Sequence, residues 1–355
     1  MVKVIEPGRR AGTVVVPSSK SIAHRELIAA ALSGVEPPLI RGESKDTLAT
    51  RNCLQAMMAG EPVWPCGESG TTLRLLEPIA GVMGWKGFFK CEGRLGERPR
   101  MPFKKQERYV VPGNVSSQFV SGLLMALPLA DWDSEIVIEG PLQSEAYVRL
   151  TEDTLRASGI DFDKVGQTKI DNDKVGQTWF VKGGQRYRFA GGREVEGDWS
   201  QAAFFLAMGV EVKGLKADSH QGDKAVVDLL AAINRADPHG SQSPGVLDVS
   251  QTPDLYPCLA AYVAATDRAV TFTGTERLRL KESDRIASTM ALIEAVKNGK
   301  PVNTFGDHRI AMSAAVMACY SEVPVTVEGA ECVAKSYPGF WDDFESLARE
   351  GDDKG

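Results

Sequence analysis

Short apolar runs alternate along this chain with stretches whose apolar residues recur at helical spacing. Val14-Val15-Val16 is extended and stops at Pro17, after which the spacing predicts a helix over Ser21–Leu32, closed by Gly34. Asp46 is placed to N-cap a second helix that runs to Met58 and ends at Gly60. Further helical patterns begin near Gly70, Ser117, Ala146, Ser200, Asp223, Pro253, Ser283, His308 and Tyr337. Strand-like runs include Glu135–Ile138, Trp179–Val181, Ala269–Phe272 and Val325–Val327. Strands alternating with mid-length helices define an α/β chain. A boundary is expected near 193–197, where the polar, Gly-rich stretch Arg188 to Glu196 gives way to the helical GDWSQAAFFLA. ADPHGSQSPG, at 236–245, reads as a loop. The hexapeptide DKVGQT occurs at 163–168 and again at 173–178, a spacing that a hairpin or an artefact of sequence assembly would each produce.

Composition narrows the function classes. With 355 residues and 43% apolar content, the chain can form one large domain or two ordinary ones. No run approaches the roughly 18 apolar residues of a membrane span. The opening MVKVIEPGRRAGTVVV is strand-like and has neither a signal-peptide nor a transit-peptide pattern, so a cytoplasmic location is expected. A net charge of −6 argues against a wholesale nucleic-acid binder and leaves room for a local basic cleft that takes an anion. Cys53, Cys66, Cys91, Cys258, Cys319 and Cys332 form no CxxC pair, and only four histidines are present. No zinc site, disulfide framework or cofactor is expected, and the thiols read as reduced and mostly buried.

Polar residues gather where helices begin. The clusters are Pro17-Ser18-Ser19-Lys20-Ser21 with Arg25, Glu68-Ser69-Gly70-Thr71-Thr72 with Arg74, Ser116-Ser117-Gln118, Lys281-Glu282-Ser283-Asp284-Arg285, and Asp307-His308-Arg309. A helix N-terminus presents free N–H groups and partial positive charge, which favour phosphate or carboxylate. Each cluster alone reads as an ordinary N-cap. Five together point to a ligand with several anionic groups, provided that they meet in space. His308 alone reads as a hydrogen-bonded structural histidine, and His24 as a residue facing solvent. Asp254, following Pro253, reads alone as an N-cap, and Glu282 as an exposed partner of Arg285 at i,i+3. There is no GxGxxG after a strand, no Walker A motif and no GxSxG elbow.

The same clusters carry a resemblance. VPSSKSIAHR, GESGTTLR, GERPRMPF, SSQFVSGLLMALPLA, EGDWSQAAFFLA, QTPDLYPCLA, LRLKESDRIA, GDHRIAM and KSYPGFWDDF follow one another over roughly residues 12–345. In this order they resemble the signatures of the 5-enolpyruvylshikimate-3-phosphate synthase family. The resemblance implies an α/β fold of two similar domains of repeated βαβαββ units, an inside-out α/β barrel with the active site in the interdomain cleft. One domain would span 17–195 and hold the shikimate-phosphate clamp. The other would comprise 1–16 plus 196–355, and ligand binding would close the two. It also implies transfer of the enolpyruvyl group of phosphoenolpyruvate to the 5-hydroxyl of shikimate 3-phosphate, in aromatic amino-acid biosynthesis. The implied partners are these two small molecules, with no nucleic acid, membrane, metal or cofactor, and the protein would be a monomer.

Residue by residue, Lys20, Ser21 and Arg25 match positions that hold shikimate 3-phosphate, and Lys20 also phosphoenolpyruvate. Ser116, Ser117, Gln118, Ser144 and Tyr147 match the shikimate-phosphate clamp. Gly70, Arg98, Arg285, Arg309 and Lys335 match the phosphoenolpyruvate site, and Lys281 lies beside it. Asp254 and Glu282 match the two catalytic carboxylates: Asp254 the base for the 5-hydroxyl, Glu282 the acid for the methylene, with Lys20 its competitor. Arginine forks would offset the phosphate and carboxylate charge of a tetrahedral intermediate.

The chain departs from the pattern in three respects. Glu68 stands where many members have Asn, and His24 where Asn is common. The chain is also on the order of 70 residues shorter than family members usually are, set against domain-size norms. The losses fall between Gly60 and Gly67, between Phe103 and Ser116, after Met208, and around 235–246 and 296–303. Missing strands would leave sheet edges unpaired. Two other readings follow: a catalytically impaired anion-binding derivative of the fold, and a UDP-N-acetylglucosamine enolpyruvyl transferase. Against the second, Lys20 is followed by Ser21 rather than Asn, and Gly93 stands five residues before Arg98 where that enzyme has a cysteine.

Overall fold

The computed structural model describes residues 1–170, 174–237 and 245–349. The loop expected at 236–245 therefore lies almost wholly outside the described residues. Among them the α-helices, in chain order, are α1 (Lys20–Ser33), α2 (Lys45–Met58), α3 (Gly70–Val82), α4 (Ser117–Ala126), α5 (Glu145–Ala157), α6 (Trp199–Met208), α7 (Val226–Arg235), α8 (Tyr256–Ala265), α9 (Arg285–Lys297), α10 (His308–Ala318) and α11 (Phe340–Ser346). The chain divides into two units. The first comprises Met1–Ser19, Gly42–Ser44 and Glu196–Gly355; the second comprises Lys20–Arg41 and Lys45–Val195.

The first unit is built around α10. Every residue of this helix is buried, including His308, Arg309 and Ser313. Ala311, Ala314, Ala315 and Ala318 explain how: without long side chains, α8, α9 and α6 can pack close around it. Phe204 and Phe205 of α6 meet Tyr337, Phe340, Trp341 and Phe344 in an aromatic cluster. Burying each of these rings contributes roughly 1.5–3 kcal/mol. The strands are short. Val2–Ile5 pairs antiparallel with Val325–Glu328, which also pairs parallel with Val302–Asn303. Among the described residues, Thr13–Val15 pairs only with Glu211–Lys213, and Gly245–Asp248 only with Val270–Thr273.

In the second unit, a four-stranded sheet has the order Arg108–Pro112, Ser134–Glu139, Lys174–Val181, Phe162–Ile170. The first DKVGQT segment and the part of the second from Lys174 on fall on the last two strands, which pair antiparallel. Ile136 and Ile138 point inward with Trp179, Val111, Leu124 and Val148. Helices α3 and α4 cross closely at Gly122, where a Cβ would stand 2.2 Å from the Arg74 carbonyl oxygen. Alanine there would force the helices apart. Among the described residues, Val63–Gly67 pairs only with Phe88–Cys91. The segments that the sequence marked as shortened at 60–67 and after Met208 thus feed two-stranded sheets, and apolar Phe88 and Val15 are exposed on them.

Most helix starts fall within one or two residues of the sequence expectation. Corrections come at four. Asp46 lies inside the first turn of α2 instead of capping it. Near Asp223 and Pro253 the chain first makes short 3-10 turns, Gly222–Ala225 and Pro253–Leu255, ahead of α7 and α8. Tyr337 precedes α11 by three residues.

Candidate active site

In the first unit, four chain segments bring charged groups together. Asp254 lies within the turn Pro253–Leu255, so it is not the N-cap that its position after Pro253 suggested. Asp284 caps α9, accepting from the amides of Ile286 (3.1 Å) and Ala287 (3.2 Å). Asp307 caps α10, accepting from the Arg309 amide at 3.0 Å. These caps set Arg285 and Arg309 at the starts of their helices, facing Asp254.

Arg285 is the hub. Its Nη1 donates to Asp254 Oδ1 at 2.7 Å, its Nη2 to Glu282 Oε2 at 2.6 Å, and its Nε to Asp307 Oδ2 at 2.8 Å. Ser283 adds a hydroxyl to Asp307 at 3.1 Å. Glu282 is therefore paired with Arg285 at i,i+3 as the bare sequence suggested, but inside the cluster rather than on an exposed surface. Lys281 Nζ reaches Asp254 Oδ1 at 3.2 Å, and Arg309 Nη2 lies 3.5 Å from Asp254 Oδ2. Arg309 also donates to the Asp254 carbonyl at 2.8 Å and to the Ser200 hydroxyl at 2.6 Å. Burial alone would lower the Arg285 pKa; Asp307, Glu282 and Asp254 more than offset this and hold it above the ordinary arginine value. Lys281 shifts down, because loss of solvation outweighs the attraction of Asp254. Lys335 ends the turn Ala330–Lys335 and is buried, next to Ser336, which accepts from Gln201 Nε2 of α6 at 2.6 Å.

Asp223 belongs to this cluster and was not singled out from the sequence. It is 4% exposed, and its Oδ1 has no hydrogen-bond partner among the described residues. Burial, reinforced by the like charge of Asp254 and opposed by Arg309 and a Ser200 hydrogen bond, raises it to about 6. A raised carboxyl favours folding while protonated, and this contribution is lost as pH rises through about 6. Asp223→Asn should therefore stabilise the protein at pH 7.5 by roughly 3 kcal/mol, with the gain vanishing near pH 4. Denaturant midpoints measured at both pH values check this; a gain of equal size at both would contradict the assigned cause.

A second cluster lies in the other unit. Lys20 opens α1, and its Nζ lies 3.0 Å from Asp46 Oδ2. His24, expected at the surface, is fully buried: Nδ1 is hydrogen-bonded to Thr50 Oγ1 at 2.6 Å, in a chain that continues to Thr72 and Ser69. Burial, with Lys20 and Arg25 nearby, lowers its pKa well below the ordinary value, so it is neutral. Among the described residues Arg25, 1% exposed, donates only to neutral oxygens, those of Thr151 (2.7 Å), Ser21 (2.6 Å), Tyr147 (2.8 Å) and Ser121 (3.2 Å). Burial lowers it to about 10. A buried guanidinium among neutral acceptors favours an anion nearby.

Gly70 opens α3 behind its cap Ser69. A Cβ on Gly70 would lie 3.2 Å from an Arg74 nitrogen and 3.3 Å from one of Arg98, so both guanidiniums crowd this helix start. Arg74 donates to Gln118 Oε1 at 2.6 Å, and Gln118 donates to Thr71 at 2.8 Å. Ser116 caps α4, with Ser117 buried behind it. Ser144 precedes α5 in left-handed backbone, φ 56°, a strained setting for a non-glycine residue that Tyr147 follows by one turn. This helix-start, arginine-rich arrangement suits an anionic ligand. Among the described residues, no group of three or more His, Cys, Asp or Glu is arranged to hold a metal ion.

Comparison with known proteins decides the family. The sequence model of EPSP synthase (3-phosphoshikimate 1-carboxyvinyltransferase) matches residues 100–296 and 289–344. A 3-phosphoshikimate 1-carboxyvinyltransferase of Clostridium kluyveri is 35% identical, with 98% of each chain covered. The chain belongs to the EPSP synthase family. A relative of the same name from Clostridium perfringens is 34% identical over 97% of this chain and 98% of its own. The alignment with the C. kluyveri relative runs over 426 positions although this chain has 355 residues, so relatives carry residues that it lacks. Among solved structures, an EPSP synthase of Acinetobacter baumannii superposes with a TM-score of 0.68 at 20% identity, covering 98% of each chain. An enolpyruvyl transferase of Streptomyces tendae gives 0.58 at 13%, covering 98% of this chain and 97% of its own. These two likenesses carry the fold, that of the enolpyruvyl transferases.

The residues marked from sequence thus fall into two groups. Asp254, Lys281, Glu282, Arg285 and Arg309 are joined through Asp254 and Arg285 in one unit, and Lys335 lies in the same unit beside Ser336, which bonds Gln201 of α6. Lys20, Ser21, Arg25, Gly70, Arg98, Ser116, Ser117, Gln118, Ser144 and Tyr147 belong to the other. Asp223, Ser200, Asp307, Asp46 and Arg74 join them structurally. Of these, Asp307 and Arg74 stood within the helix-start clusters; Asp223 had no signal beyond lying near a helix start.

Proposed function

We propose that this protein is a 3-phosphoshikimate 1-carboxyvinyltransferase: it transfers the enolpyruvyl group of phosphoenolpyruvate to the 5-hydroxyl of shikimate 3-phosphate and releases phosphate. The observation that carries this is the near-full-length match to relatives of that name, joined to a cluster in which Asp254 and Glu282 share one buried arginine. In this reading Arg25, Ser116, Ser117, Gln118, Ser144 and Tyr147 bind shikimate 3-phosphate. Gly70, Arg98, Arg285, Arg309 and Lys335 bind phosphoenolpyruvate, whose carboxylate and phosphate suit planar guanidinium forks. Lys20 and Ser21 serve at the start of α1, and Lys281 with Arg285 orients Asp254.

The chemistry is addition followed by elimination. Asp254 accepts the 5-hydroxyl proton as the oxygen attacks C2 of phosphoenolpyruvate, while Glu282 or Lys20 delivers a proton to the methylene carbon. The tetrahedral ketal phosphate then loses a proton from the new methyl group and expels phosphate, restoring the double bond. Arg285 and Arg309 stabilise charge as it develops on phosphate and carboxylate. The enzyme acts as a cytoplasmic monomer on small molecules alone. Phosphate release from phosphoenolpyruvate is expected with shikimate 3-phosphate and not with UDP-N-acetylglucosamine. Release with the nucleotide sugar alone would replace this acceptor assignment with the sister reaction.

A further inference from the structure

Strands Val63–Gly67 and Phe88–Cys91 run parallel, with Pro65 opposite Lys90 and Gly67 opposite Cys91. The register slips between Pro65 and Gly67, so Cys66 is the extra residue of a bulge beside Cys91. Cys66 is 0% exposed, and Cys91 is half-buried. The Cys66 thiol donates to the Ser69 carbonyl at 3.3 Å, and Cys53 of α2 and Cys91 are the neighbouring thiols that, with burial, raise its pKa. Arg100, ion-paired with Glu77, adds positive charge near Cys91. A half-buried thiol thus stands beside a buried one on neighbouring strands. The first of these strands leads to Gly70, the second to Arg98.

We propose that Cys91 and Cys66 form a thiol-oxidation site, with Cys91 the thiolate that reduces a hydroperoxide and Cys66 the thiol that resolves it. The Cys91 sulfur attacks the peroxide O–O bond; one oxygen joins the sulfur as a sulfenic acid, and the other leaves as the alcohol or water after taking a proton from solvent. The Cys66 sulfur then attacks the Cys91 sulfur. The S–OH bond breaks, the Cys66 proton leaves with the hydroxyl as water, and a disulfide remains. Two thiols are oxidised by two electrons, and one peroxide is reduced. The environment suits these roles. Cys66 is the main influence that lowers the Cys91 thiol to about 7, assisted by Arg100 and opposed by burial and by the charge of Glu77. Cys66 is held in its protonated form by the neighbouring Cys53 and Cys91 and by burial. The disulfide would tie the strand entering α3 to the segment carrying Arg98. The site is independent of the acceptor assignment, and its test does not use turnover.

The test treats the full-length protein with stoichiometric hydrogen peroxide at pH 7.5. Non-reducing peptide maps should link Cys66 to Cys91, with a mass loss of two hydrogens that dithiothreitol reverses. In Cys66→Ala the link should be absent, and dimedone should trap a sulfenic acid on Cys91. The pH midpoint for alkylation of Cys91, near 7 in the parent, should rise in Cys66→Ala. In Cys91→Ser, peroxide consumption should fall about tenfold, the thiolate advantage that the lowered pKa gives at neutral pH. Unchanged consumption in Cys91→Ser, or a link between Cys53 and Cys66 that does not need Cys91, would overturn the proposal.

Discussion

Arg285→Ala is expected to lower folding stability by about 3–5 kcal/mol. Its guanidinium is 2% exposed and holds Asp254, Glu282 and Asp307, whose side chains are 20%, 15% and 0% exposed. Removing the cation takes the shared arginine from three carboxylates: Asp254 keeps Lys281 and Arg309, whereas Asp307, 0% exposed, cannot regain water. Asp307 also caps α10 by accepting from the Arg309 amide, so any displacement of its carboxylate would weaken that helix start. Arg285→Lys should recover only part of the loss, since a point charge cannot bond three acceptors in the guanidinium plane. Urea midpoints of the three proteins measure this. Equal midpoints for parent and alanine variant would mean that the carboxylates find other partners.

The second large effect is on turnover. Asp254→Asn preserves the size of the side chain and one oxygen for Arg285 and Lys281, but it cannot accept the substrate proton. A fall in kcat of about 10²–10⁴ is expected, the usual contribution of a general base. Shikimate 3-phosphate affinity should change little, because the groups proposed to bind it lie in the other unit. Calorimetric binding beside steady-state rates separates the two effects. A kcat within threefold of the parent would remove Asp254 from the proton transfer.

The sequence revealed helices better than it revealed what they hold. Ser69, Ser116, Asp198, Asp284 and Asp307 are local signals: a side chain bonds the backbone two or three residues on, and that relation is written in adjacent positions. Asp254 misled because Pro253 starts a 3-10 turn rather than an α-helix. His24, next to Arg25, read as facing solvent, whereas Thr50, 26 residues away, completes a buried polar chain. Asp223 was invisible for the same reason: its character comes from Ser200, Arg309 and Asp254, which only the tertiary fold brings near. Motif resemblance, not periodicity, supplied the roles proposed for Glu282 and Lys335. The shortened scaffold was legible as missing length, and its consequence, two-stranded sheets with exposed Phe88 and Val15, needed coordinates.

The most direct measurement follows both products at once. Phosphoenolpyruvate and shikimate 3-phosphate, mixed with the purified protein, are watched by proton and phosphorus NMR. Vinyl protons of a carboxyvinyl ether on the 5-oxygen should appear together with one inorganic phosphate per ether formed. Phosphate without the ether, or neither product from protein shown to be folded, would contradict enolpyruvyl transfer by this shortened chain.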